Sequence, residues 1–131
     1  MTKTKFSLKK RLHSFRYAFN GLRIIWREEH NFKVHLLAMV LTTALSLLLQ
    51  INAYEWLAVI LAIGFVLVGE LLNTAMENLA DFVCAETDPR IKRIKDLAAA
   101  AVLLSSITAL IVGAIIFVPK LYTLFLRIDL L

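Results

Sequence analysis

Cysteine occurs once in this chain, proline twice and glycine four times. The lone thiol, Cys84, excludes an intramolecular disulfide and leaves the redox compartment open. Without a Gly/Ser/Pro-rich stretch, a low-complexity segment or an internal repeat, nothing divides the sequence, and residues 1–131 read as a single domain. Charge is scarce as well: 19% of residues are charged against 60% hydrophobic, with a mean hydropathy of +0.73. That is too little polar surface to coat a small soluble domain. An all-α integral membrane protein is therefore expected. The formal net charge of +5 does not point to nucleic acid, because the Lys and Arg residues are distributed by membrane topology.

The familiar nucleotide signatures are also missing. There is no G-x-x-x-x-G-K-[ST], no G-x-G-x-x-G and no kinase catalytic-loop motif. Any nucleotide chemistry must rest on another set of residues.

What is present falls into four segments. In residues 1–33, Leu8, Leu12, Phe15, Phe19, Leu22 and Trp26 recur at alternating four- and three-residue spacing, with Lys9, Arg16, Arg23 and Arg27 off that line. This is the pattern of an amphipathic helix lying on an anionic membrane surface. A cleaved signal peptide does not fit, since the apolar segment that follows is too long and has no small-residue cleavage site. The first span is expected over 34–51, with His35 its only potentially charged residue. A short turn with Tyr54 and Trp56 at interfacial depth leads to a second span over 54–72. A polar connector over 82–96 contains Asp88-Pro89 and the basic run Arg90, Lys92, Arg93 and Lys95. The third span, 97–118, opens with four alanines (98–101) suited to close helix contact and is expected to stop at Pro119.

Nine Lys and Arg residues precede the first span, none lies in the first turn, four lie in the connector and two follow the third span. The positive-inside rule then puts the N-terminus and the connector in the cytoplasm and the C-terminus outside.

The unusual feature is a polar stripe at the end of the second span. At about 100° per residue, Glu70, Asn73, Glu77 and Asp81 share an arc of roughly 80° on one helix face. Ionisable residues at the hydrocarbon edge face a bundle interior or a wet cavity and mark functional sites. Three spans are too few to bury such a stripe on all sides, so other protomers are expected to cover it. Several carboxylates beside an amide and basic residues suit a divalent cation holding a nucleotide phosphate, with a carboxylate left to act as base. On spacing alone, a small oligomeric proton-coupled transporter or channel with Glu70 as its proton site is the rival from a different class.

The sequence Glu70-Leu71-Leu72-Asn73-Thr74-Ala75-Met76-Glu77, then Asp81, then Lys95-Asp96 and the alanines after it, resembles the signature of the small bacterial diacylglycerol kinases. Gly21-Leu22-Arg23 leading to Trp26 and Glu29 extends the likeness over most of the chain. Within the family, Glu29-His30-Asn31-Phe32 followed by His35, and Phe117-Val118-Pro119-Lys120, are similar to the undecaprenol kinase branch. The resemblance implies a homotrimeric, ATP- and Mg²⁺-dependent lipid-alcohol kinase of the bacterial inner membrane, with composite sites between protomers. Its acceptor would be undecaprenol, with diacylglycerol the alternative. It assigns Glu70 as catalytic base, Glu29 and Glu77 as the metal-binding carboxylates, and Asn73, Lys95 and Asp96 to the nucleotide and catalytic shell. Lys10, in place of the commoner Arg, Tyr17 and Glu86 fall at nucleotide-contacting positions. Asp88 stands near where the diacylglycerol branch has His.

Overall fold

The computed structural model describes residues 8–84, 86 and 88–128, the side chains of 8–12 and 127–128 excepted. They form four helices: α1 (Leu8–Glu28), α2 (His30–Leu48), α3 (Ala53–Val83) and α4 (Pro89–Ile128). The last three are long and apolar enough to cross a membrane.

One residue separates α1 from α2. Glu29 takes an extended conformation (φ −102°, ψ 116°), and this break ends the first helix at Glu28 instead of carrying it to residue 33. Ile25 and Phe32, on either side, are both buried and pin the bend. The turn between α2 and α3 is as sharply specified. Gln50 sits at positive φ (48°), while its N–H donates to the Leu47 carbonyl (3.2 Å) and that of Ile51 to Ser46 (3.2 Å). Those two bonds close a Schellman motif. Asn52 then caps α3: its side chain accepts from the N–H groups of Tyr54 and Glu55, and the Glu55 carboxylate accepts from the Asn52 N–H (2.7 Å). Such a capping box contributes about 1 kcal/mol. Beside it Lys120 Nζ lies 3.1 Å from Glu55 Oε2, and Ile51, Val59, Ile116 and Phe117 form a buried apolar cluster closing this end of the molecule.

Helices α3 and α4 are the principal packed pair. The least exposed positions of α4 include Ala98, Val102, Ser105, Ala109, Val112 and Ile116, an alternating four-and-three spacing that lines one helix face. Three of the four alanines lie off that seam: Ala99, Ala100 and Ala101 are exposed. Consecutive residues are about 100° apart and cannot all face one neighbour. The close approach occurs instead at Gly69, where an added Cβ would lie 3.1 Å from Ser105 Oγ and 3.9 Å from Val102 Cα.

Both helices outrun the bilayer. At about 1.5 Å per residue, α3 is roughly 46 Å long and α4 roughly 60 Å, against ~30 Å of hydrocarbon. The connector between them is correspondingly short, and the basic run Arg90–Lys95 lies on α4 itself. Asp88 caps α4, its carboxylate accepting from Arg90 N (2.7 Å) ahead of Pro89 in the first helical position. The Arg90 guanidinium also holds the Asp88 carboxyl below its ordinary range. At the other end, α4 does not stop at Pro119 but continues to Ile128. Pro119 removes one N–H from the ladder and so takes the i+4 donor from the Ile115 carbonyl; membrane helices tolerate such an interruption, and Thr123 Oγ1 separately donates to the Pro119 carbonyl (2.9 Å).

Candidate active site

The inward seam of α3 runs Val59, Ile63, Val66, Glu70, Asn73, Glu77 and Ala80, again at alternating four and three. The polar stripe thus continues the face that packs the bundle, and this explains its burial. Glu70 is 2% exposed within one chain. Coverage by other protomers, expected from three spans alone, is not needed for this residue, because α2 crosses it. His35 Nε2 stands 2.9 Å from Glu70 Oε1, with the two side chains 26% and 3% exposed. The contact is ionic in distance without the alignment of a hydrogen bond, and Oε1 keeps an unused acceptor site.

Toward the C-terminal end of α3, Asn73 Nδ2 donates to Glu77 Oε1 (3.0 Å), an i,i+4 contact that fixes the Glu77 side chain. Asn73 Oδ1 is buried with no partner. Thr74 Oγ1 donates to the Glu70 carbonyl (3.0 Å). Glu29, at the break between α1 and α2, and Glu77 are both close enough for their charges to act on Glu70. Two contacts are direct, His35 with Glu70 and Asn73 with Glu77, and the charges of Glu29 and Glu77 act on Glu70 from further off.

Other expected site residues stand apart. Lys95 Nζ is 2.5 Å from Asp81 Oδ1, an α3–α4 clamp. Asp96, its neighbour, is exposed, as is Glu86 in the connector. Tyr17 is 71% exposed on α1, its ring 5.9 Å from that of His13. Among the described residues Tyr17, Glu86 and Asp96 make no polar contact with the Glu70 group. The side chain of Lys10 lies outside the described residues.

No group of three or more metal-ligating side chains gathers among the described residues. The donor set nonetheless fits Mg²⁺, which takes one or two carboxylates and completes its shell with phosphate oxygens and water. Glu29, Glu77 and the orphaned Asn73 oxygen are of that kind.

His35 as the partner of Glu70 is the residue that sequence reasoning passed over. A signal existed: it is the one ionisable residue of the first span and Glu70 the one acid deep in the second, at matching depth on antiparallel helices. From His35 an apolar groove of about 560 Å³ runs between α2, α3 and α4, bordered by Val34, Met39, Val66, Ala109 and Phe117. The arrangement offers a lipid tail a channel lined at one end by His35, the residue that faces the buried Glu70 carboxylate.

Residues 16–117 match the family described as prokaryotic diacylglycerol kinase. The undecaprenol kinase of Bacillus subtilis (strain 168) is 36% identical over 108 residues, covering 82% of this chain and 88% of that protein. A diacylglycerol kinase of Synechocystis is 36% identical over 114 residues, 86% of this chain and 65% of the relative. The diacylglycerol kinase of Escherichia coli K12 is 31% identical over 100 residues, 76% and 82% of the respective chains.

Proposed function

The chain belongs to the prokaryotic diacylglycerol kinase family, and from that premise we propose that it transfers the γ-phosphate of ATP to the hydroxyl of a membrane lipid alcohol at the cytoplasmic face, with undecaprenol the preferred acceptor. The observation that carries this reading is the buried Glu70 facing His35, a residue that lines an apolar groove, with two further carboxylates within electrostatic reach.

In this reading the lipid's tail lies along the groove and its hydroxyl reaches the open acceptor site of Glu70. The carboxylate takes the hydroxyl proton while the lipid oxygen attacks the γ-phosphorus, the bond to the bridging oxygen breaks and ADP leaves. Burial excludes water that would compete as acceptor. Asn73, by holding Glu77, orients one of the two carboxylates, Glu29 and Glu77, that would hold Mg²⁺. The ion's contribution is to neutralise the phosphate charge. Lys95 and Asp96 complete the nucleotide and catalytic shell, while Lys10, Tyr17 and Glu86 bring α1 and the connector to the nucleotide.

The enzyme works as a homotrimer in the bacterial inner membrane. Its N-terminus and α3–α4 connector face the cytoplasm, its C-terminus lies outside, and α1 rests on the cytoplasmic surface with its apolar side in the lipid. Support for the preferred acceptor comes from the likeness to the Bacillus enzyme over 88% of that protein's length and from the Glu29–His35 segment. Turnover of purified protein with MgATP in mixed micelles should favour undecaprenol over diacylglycerol in kcat/KM. A clear preference for diacylglycerol would reverse the acceptor, and proton or ion flux without ATP turnover would replace the kinase by a transporter.

A further inference from the structure

Every turnover of such an enzyme leaves a proton on Glu70, and that proton must depart before the next lipid can react. The side chain is 3% exposed, and the seam around it is apolar on the membrane side, so water does not reach it freely. Thr74 spends its hydroxyl on the Glu70 carbonyl (3.0 Å), and Asn73 directs its amide to Glu77 (3.0 Å). Neither serves the carboxylate. The polar side chain that does approach it is His35, 2.9 Å away and 26% exposed, at the end of the groove.

We propose that His35 is the proton outlet of the catalytic carboxylate: it takes the proton from Glu70 after phosphoryl transfer and releases it to the water at the cytoplasmic interface. The balance is simple. The lipid O–H bond breaks and its proton goes to Glu70 as the O–P bond forms and the phosphoanhydride bond to ADP breaks. The proton then moves from the Glu70 carboxyl to neutral His35 Nε2, and the imidazolium loses a proton to solvent. The carboxylate is regenerated with no other reactant consumed. Imidazole is the side chain whose ordinary pKa lies nearest neutrality, so it both accepts and gives up a proton at little cost. Its position also contacts the groove, so the ring stands beside the incoming hydroxyl and helps hold Oε1 toward it.

This inference rests on the kinase reading, and the test separates the two. His35→Gln retains a polar group of similar reach but cannot carry a proton at neutral pH; His35→Ala opens space for a small base. Both are compared with wild type, and with His30→Gln at an exposed histidine outside the site, for MgATP-dependent phosphorylation of undecaprenol in mixed micelles. The relay predicts kcat lower by about 10²-fold in both His35 variants, the lower end of what a positioned proton-transfer group supplies. KM for MgATP should be little changed, and imidazole in the buffer should restore turnover of the alanine variant saturably. A merely structural role would give no rescue. If wild type and His35→Gln turn over at similar rates, or if the alanine variant stays slow at every imidazole concentration, the outlet is not His35 and the kinase reading stands. If wild type phosphorylates no lipid alcohol, that reading falls and the relay with it. Loss of α-helical signal in the alanine variant leaves the glutamine variant to decide.

Discussion

At the scale of single residues, the proposed mechanism would have Glu70 and Glu77 divide two tasks that their common stripe does not distinguish. Glu70 is enclosed against α2, while Glu77, seven residues on, is half-buried and held by Asn73 (3.0 Å). A base needs a dry position beside the lipid hydroxyl, and a cation ligand needs access to phosphate and water. Glu70→Gln keeps the shape and loses the basicity, so kcat should fall by about 10²- to 10⁴-fold with MgATP binding retained. Glu77→Gln should instead raise the apparent KM for MgATP and shift the Mg²⁺ dependence to higher concentration. Steady-state kinetics on both purified variants checks the pair. A Glu70→Gln enzyme that turns over normally, or that loses MgATP as completely as Glu77→Gln, would refute the division.

At the scale of elements, the hairpin of α3 and α4 carries the candidate site, and its tightest point is adjacent to Glu70. Gly69 precedes Glu70 and leaves only 3.1 Å between a hypothetical Cβ and Ser105 Oγ. An alanine would require Ser105 to give by a few tenths of an ångström, whereas a valine would push the helices apart. Overpacking of this kind typically costs about 1–3 kcal/mol. Gly69→Val should therefore lower the thermal midpoint in detergent by several degrees and reduce kcat by moving Glu70 away from His35, and Gly69→Ala should do both to a smaller extent. An unchanged midpoint in the valine variant would mean that the two helices do not meet there. Much of this hairpin was legible in sequence: the apolar runs and the face shared by Glu70, Asn73 and Glu77 follow from periodicity. Its packing was not. The run of alanines is conspicuous in composition, but the contact uses one residue from each turn, so Gly69 and Ser105, scattered singly, carry it. Pro119 misled for a related reason: a lost N–H ends a helix in water, whereas α4 continues past it as a largely apolar helix of the kind membranes tolerate with a proline inside. The partner of Glu70 lies on a different helix, so no spacing rule within one element connects residue 35 with residue 70, and only their matching depth on antiparallel spans pointed to the pair.

At the scale of the whole molecule, a single chain leaves two facts unreconciled. It gathers Glu29, Glu70, Asn73 and Glu77 at one place, yet keeps Asp96, Glu86 and Tyr17 exposed and out of contact with them. It also exposes Met76, Leu79, Phe82 and Val83 on the stretch of α3 that overshoots the hydrocarbon, where water would otherwise meet an apolar face. The proposed homotrimer would resolve both, if a neighbouring protomer's hairpin covered that face and brought its own Asp96 to the first chain's carboxylates. The topology this requires is testable by itself: a reporter at Arg90 should score cytoplasmic and one after Leu131 external, and the reverse would separate the site from ATP. The sharing of sites has a stricter test. In trimers assembled from Glu70→Gln and Asp96→Asn chains, a site that draws Glu70 from one protomer and Asp96 from the next is intact wherever the right two meet, once in every mixed trimer. Two inactive parents should then yield activity approaching one site in three. The charge of Glu29 acts on Glu70 within one chain; if the two belong to the same half of the site, mixing Glu29→Gln with Glu70→Gln should give no such recovery. Recovery in the second mixture and none in the first, in trimers verified to contain both chains, would mean that Glu29 is the residue donated across the interface and that Asp96 works within its own protomer.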